Sequence, residues 1–382
     1  MKLTTAGESH GKALIAVIEG LPSHLQLDIE KINGALALRQ SGFGRGGRQK
    51  IERDSVQILT GVRNQETLGS PLTLCIENKD YANWTACMSD GKCDESAMAA
   101  KKLTNVRPGH ADLTGMMKFN QKDARNILER ASARETAIRV AAGEVFRQYL
   151  SVLGVEIGGY VKEICGVKDG GMYAFNELSR AKTTQTGMLD SQAESEAMEK
   201  IAQLKKDGDT AGGVVEIRVK GLKCGFGSMM TYDEKLDALL ARGLMSIQAV
   251  KGVEFGDGFA VAHTSGKDVH DEIFYDEKAG VYRKTNRAGG LEGGMSNGEE
   301  IVIRVAMKPI PTLMQGLQTI DFHTKQATKA ASERSDVCAI FALEVIAEAV
   351  VAQVIANVVE KRLGGDTMEQ VKSRYNDLPE LK

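Results

Sequence analysis

The segment 337–363 constrains the fold more than any other stretch of this 382-residue chain. Its apolar residues, Ile340, Leu343, Ile346, Ala347, Val350, Val351, Val354, Val358 and Val359, recur at helical spacing yet cover more than one face. Such a helix must be buried nearly all round, and Gly364 and Gly365 supply its stop. Glu344, Glu348, Gln353 and Asn357 interrupt it, which makes it a poor membrane span. A helix buried on several sides needs a layer against each of them, so helices sandwiched between sheets are expected.

Elements that could build those layers are visible on either side of the midpoint. Leu14 to Ile18 reads as a strand, followed by an Asp28-capped helix with Ile29, Ile32 and Leu36 that Gly42 stops. Val214 to Val219 alternates as a strand and leads, past Gly221, to an Asp233-capped helix with Leu236, Leu239 and Leu240. Ser132 to Glu135 has the S-x-x-E form of a capping box ahead of Ile138, Ala141, Ala142, Val145 and Tyr149. Ser191 to Glu194 repeats that form before Met198, Ile201 and Leu204. No Pro/Ser-rich linker divides the chain, so one domain spanning 1–382 is expected.

Charge narrows the function classes. With 49 Lys+Arg against 51 Asp+Glu the formal net charge is −2, so no whole-molecule field gathers nucleic acid or anionic lipid. Any anion site must be local. The amino-terminal residues lack an apolar signal core, and six cysteines without CxxC spacing read as reduced thiols, both pointing to the cytoplasm. No His, Cys or carboxylate spacing resembles a metal site.

Local cation clusters do exist. Arg39, Arg45, Arg48, Lys50 and Arg53 are interleaved with Gly42, Gly44, Gly46 and Gly47; this is either a loop that folds around carboxylates and phosphates or a solvated basic loop. Arg130, Ser132 and Arg134 sit where a helix begins, so they either cradle an anion or leave Ser132 as a simple cap. His10 and His110 lie in Gly-bearing loops beside polar residues, a setting suited to proton transfer. Gly-rich stretches at 252–258 and 289–298 match neither G-x-G-x-x-G nor a P-loop; they are tight turns or places of close backbone approach to a ligand.

In order, these segments resemble the chorismate synthase family from Gly7 to about Ala339. The matching pieces are Gly7-Glu8-Ser9-His10-Gly11, the arginine loop from Arg39 to Asp54, Arg107-Pro108-Gly109-His110-Ala111-Asp112, and Arg130 through Ala137. They continue with Asp209 to Gly213, Val250 to Glu254, Gly293 to Gly298, Lys308-Pro309 and Arg334-Ser335-Asp336. The resemblance implies an α+β fold, a layered sandwich with helices packed between two antiparallel sheets. It implies a phosphate lyase that converts 5-enolpyruvylshikimate 3-phosphate to chorismate by losing the 3-phosphate and a C6 proton. Reduced FMN is implied as cofactor with no net redox change, and NADPH only as the upstream flavin reductant.

By position, the family's proton-handling histidines fall on His10 and His110, and its Ser/Asp pair for proton removal on Ser9 and Asp336. FMN contacts are implied for Arg130, Ala131, Ser132, Gln248, Ala249, Gly293, Lys308, Pro309, Ile310, Pro311, Thr312 and Arg334. Arg39, Arg45, Arg48, Arg107 and Arg134 are implied to face substrate, the first two also a nicotinamide nucleotide. Gly47, Ala131 and Val337 depart from the family's commonest residues. A homotetramer is implied, served by an external flavin reductase, with no nucleic-acid or membrane partner. Two other classes remain: a non-catalytic flavin- or nucleotide-binding module, and an RNA-binding protein using the 39–53 cluster.

Overall fold

Residues 340–363 form one helix, against which the helices Ile29–Gln40, Thr136–Ser151 and Leu236–Met245 and the strands Glu156–Ile164 and Gly213–Lys220 are packed. The structure is a computed structural model that describes residues 1–46, 53–278, 280–331 and 335–379. Its first sheet contains β1 (Lys2–Ala6), β2 (Ala13–Glu19), β3 (Gln57–Thr60) and β4 (Leu72–Glu77), lying in the order β1-β2-β4-β3, with every neighbour antiparallel. The second contains β5 (Glu156–Ile164), β6 (Val167–Lys168), β7 (Gly213–Lys220), β8 (Val250–Phe255) and β9 (Ile301–Met307). Its order is β8-β9-β7-β5-β6, again antiparallel. The class is α+β.

Alternation decides which face each sheet buries. Leu14, Ala16 and Ile18 on β2 and Leu72, Leu74 and Ile76 on β4 are wholly buried, while Ile15 between them is exposed. On the second sheet, Val215, Ile217 and Val219 of β7 and Ile301, Ile303 and Val305 of β9 do the same. The main helices, among others, are α1 (Ile29–Gln40), α2 (Asp112–Lys118), α3 (Arg125–Ala131), α4 (Thr136–Ser151), α5 (Ser191–Asp207), α6 (Leu236–Met245) and α7 (Ile340–Leu363).

Helix α4 lies on β2 and β4, α7 lies on β5 and β7, and the two helices pack on each other. One hydrophobic cluster therefore runs from Leu14 through Phe146 and Val351 to Ile303. The α4–α7 crossing depends on Gly143, where an added Cβ would stand 2.3 Å from the Cβ of Ala349. By length and composition α7 could cross a membrane, but 83% of its most apolar window is buried inside the protein. Two carboxylates share that interior: Glu344 and Glu348 both face Lys182, at 2.5 and 3.0 Å, and Arg147 meets Glu348 at 2.8 Å.

Several helix starts differ from expectation. Ser132 accepts from the Arg134 N–H and caps only a short 3-10 turn, because Glu135, expected to close the box, is drawn to the Thr5 hydroxyl instead. At α5 the cap is Asp190, which accepts from the Ala193 N–H; Glu194 turns outward to the amides of Gln185 and Thr186. Asp233 lies in a separate 3-10 turn, so α6 begins only at Leu236. Helix α1 is capped by Asp28 as expected but ends at Gln40, before Gly42. Gly364, with φ +57°, terminates α7.

Candidate active site

The loop between β1 and β2 begins at Gly7, whose φ of +111° and 2.3 Å clearance from the Ala13 carbonyl to a notional Cβ require glycine. That turn delivers Ser9 and His10 to the side of α3. The His10 amide donates to Glu129 Oε2 at 2.8 Å, and its Nδ1 lies 3.0 Å from both carboxylate oxygens. Arg125, one turn earlier on α3, donates to Glu129 Oε1 at 3.2 Å. Burial opposes ionisation of Glu129, but hydrogen bonds and charge from His10 and Arg125 outweigh it and hold the carboxyl below its ordinary range. Trp84 stacks on the imidazole at 4.0 Å between centroids.

His110 repeats the pairing from another segment. Its Nδ1 lies 2.5 Å from Asp112 Oδ1, at the start of α2. Asp112 is almost fully buried and accepts from Arg107 through the backbone amide, Nε and Nη2. Burial alone would raise this carboxyl; bonds from His110 and Arg107 pull it well below the usual carboxylate range. A carboxylate only accepts, so the close contact puts a proton on His110 Nδ1. The 3.2 Å approach of Arg107 Nη2 to that nitrogen is then proximity and not a second hydrogen bond.

These histidines open onto one cleft of about 1100 Å³, somewhat larger than the ~300–1,000 Å³ usual for small-molecule sites. Ser9, Arg39, Arg45, Arg107, Ala131, Ser132, Arg134, Gln248, Ala249, Lys308, Ile310, Pro311, Thr312 and Asp336 also line it. Ser132 Oγ donates to Ser9 Oγ at 3.3 Å. Arg134 is gripped by both oxygens of Asp54, at 2.7 and 2.6 Å. Arg39 is buried against Thr136 and the Ala133 carbonyl; that burial, with the charge of Arg45 nearby, pushes its guanidinium down to about 9. Arg45 pairs with Asp336 at 2.7 Å, while Asp336 also accepts from the Gly46 amide. Lys308 reaches the Gly109 carbonyl.

Other expected positions lie elsewhere. Arg130 is turned from the cleft toward Gly7 and Thr5, and Pro309 packs beside Gly212. Gly293 sits in a tight turn between the paired segments Leu291–Glu292 and Met295–Ser296, outside the cleft lining. Arg48, Gly47 and Arg334 lie outside the described residues. Conversely, Trp84, Lys101, Arg125 and Glu129 were not singled out from sequence, although the first three line the cleft. Glu129 has a faint signal in hindsight, standing four residues after Arg125 on one helix face.

A family model described as chorismate synthase matches residues 1–359. The chain belongs to the chorismate synthase family. It is 50% identical to a protein named chorismate synthase from Caldicellulosiruptor bescii, over 98% of this chain and 100% of the relative. A chorismate synthase from Geobacter sulfurreducens is also 50% identical, over 98% and 97% of the two chains. A crystal structure of a chorismate synthase matches with a TM-score of 0.78 at 37% identity, covering 98% of this chain and 96% of that one. The chorismate synthase reaction removes phosphate and a proton from 5-enolpyruvylshikimate 3-phosphate. The chain is thus a phosphate lyase of the shikimate pathway, on the way to aromatic amino acids.

Proposed function

We propose that this cleft performs the chorismate synthase elimination with His10 and His110 as its proton-handling groups. The observation that carries the assignment is the pair of imidazoles, each hydrogen-bonded through Nδ1 to a buried carboxylate, on one cleft rich in guanidinium groups. Each carboxylate keeps the proton on Nδ1 and leaves Nε2 as the ring nitrogen for exchange. Departure of the 3-phosphate is eased by cations that meet the growing negative charge and by proton donation from an imidazole. Arg39, Arg45, Arg48, Arg107 and Arg134 are assigned to the substrate's carboxylates and phosphate, and Ser9 and Asp336 to release of the C6 proton.

The residues present fit a flavin mononucleotide. Gln248, on the cleft wall, has a buried Oε1 with no hydrogen-bond partner among the described residues, an acceptor suited to a ring N–H. Ala131, Ser132, Ala249, Lys308, Ile310, Pro311 and Thr312 would hold the group with it, joined in the family's pattern by Arg130, Gly293, Pro309 and Arg334. When bound, reduced FMN supplies electron density for the elimination with no net redox change. NADPH belongs upstream, as reductant for a separate flavin reductase.

The wider reading is a single domain over 1–382, with helices layered between its two antiparallel sheets, working as a cytoplasmic homotetramer. Light scattering at four times the 41.3 kDa chain mass supports the tetramer, and a monomer mass rejects it. The function is tested by mixing the protein anaerobically with dithionite-reduced FMN and 5-enolpyruvylshikimate 3-phosphate. Chorismate absorbance and phosphate release should rise together; flavin binding without turnover would overturn the assignment.

A further inference from the structure

His10 is held on two sides by groups that no part of the elimination requires to touch substrate. On its edge, one Glu129 carboxylate takes both the main-chain N–H, at 2.8 Å, and the ring Nδ1, at 3.0 Å. The ring therefore cannot turn away from Glu129 without abandoning an anchor that also fixes its loop. On its face, the Trp84 indole lies 4.0 Å away at an interplanar angle of 28°. The indole is itself fixed, because its Nε1 donates to Asp80 Oδ2 at 2.9 Å.

Arg125 ties the two holds together. Its Nη1 bonds Glu129, while its guanidinium carbon stands 5.1 Å from the Trp84 ring centre, and Lys101 stands 4.6 Å from the same ring. A buried carboxylate is costly to keep for stability alone, since an apolar residue of similar volume commonly does as well. Here it sets the tautomer of a ring facing the cleft.

We propose that Glu129 and Trp84 are positioning residues for His10: the carboxylate fixes the proton on Nδ1, the indole fixes the ring plane, and Nε2 is thereby aimed at the substrate's departing group. This rests on the assignment of His10 as a proton-handling residue. Trp84 is the single tryptophan of the chain, so all tryptophan emission comes from this site. A protonated imidazole stacked on an indole accepts an electron from its excited state and quenches it, whereas a neutral one does so weakly. Around the ring stand Glu129 and Arg125 from α3, Lys101 at the end of the 95–101 helix, and Asp80 behind the indole.

The test follows tryptophan fluorescence of the full chain without flavin as pH is varied, beside steady-state kinetics of the flavin-loaded enzyme. Fluorescence should rise with pH in one step that is absent in His10→Asn. In Glu129→Gln the charged edge hold on the ring is gone, so the ring should sit less firmly on the indole and the size of the step should fall several-fold. The same variant should lose about 10-fold or more in kcat with KM nearly unchanged, and Glu129→Asp should restore part of it. A step of wild-type size in Glu129→Gln overturns the clamp while leaving His10 catalytic. Full turnover in His10→Asn overturns the catalytic assignment beneath it. Should Glu129→Gln not fold, Trp84→Leu takes its place: a several-fold fall in kcat with unchanged KM supports the clamp, and wild-type kcat overturns it.

Discussion

Asp112 carries two obligations, since one carboxylate orients His110 and neutralises Arg107 at the cleft wall. Replacing it by Asn leaves the size but lets the side chain donate where it must accept. Asp112→Asn should lower kcat by about 10-fold or more, read in the same anaerobic assay. Its stability effect has a definite sign. The folded carboxyl titrates below its ordinary range, so the stabilisation is present above about pH 4 and lost as pH falls through the depressed value. Melting curves should therefore show the gap between wild type and Asp112→Asn shrinking below about pH 4. His10→Ala and His110→Ala should each cut turnover about 100-fold or more, and near-normal turnover rejects that residue's role. Both histidines were legible in sequence because Gly-bearing polar loops surround them. Glu129 was not, since it meets His10 across 119 positions of chain and no local pattern marks that contact.

At the scale of elements, the apolar periodicity of α7 correctly announced a helix enclosed on several sides. What it left out is that Glu344 and Glu348, read only as interruptions, form a buried cluster with Lys182 and Arg147. Burial and the neighbouring Glu348 push the Glu344 carboxyl up from 4.5 to about 8, while Lys182 and Arg147 hold Glu348 down. A raised carboxyl stabilises below its unfolded value, and that contribution is lost as pH climbs to the folded one. Glu344→Gln, which mimics the protonated acid, should melt progressively higher than wild type from about pH 4.5 to about pH 8, and by a constant margin above. Glu348→Gln strips the charge that both cations face and should cost about 3 kcal/mol in denaturant unfolding. Helix starts were the least legible elements. The S-x-x-E pattern at 132–135 is a real signal, but the β1 strand supplies Thr5, a tertiary partner for Glu135 that no local pattern reveals.

For the molecule as a whole, near-neutral charge and a cationic cleft are reconciled by segregation. Arg39, Arg45, Arg107, Arg125, Arg134, Lys101 and Lys308 converge on one opening, whereas the full chain carries −2. A trianionic substrate meets this local field, so kcat/KM should fall as added salt shortens the Debye length from about 10 Å at 0.1 M to about 3 Å at 1 M. Rates independent of ionic strength would count against that attraction. The cleft is also assembled from distant stretches: His10 near the start, His110 and Arg134 in the first half, Gln248 and Thr312 later, and Asp336 just before α7 and Ile346 within it. During synthesis, then, the ribosome releases β1, β2 and both histidines long before their last neighbours exist. Until α7 has emerged, a nascent chain has α4 on its first sheet but no helix over β5 and β7 and no completed opening, a state in which chaperones would matter most and substrate could offer no stabilisation.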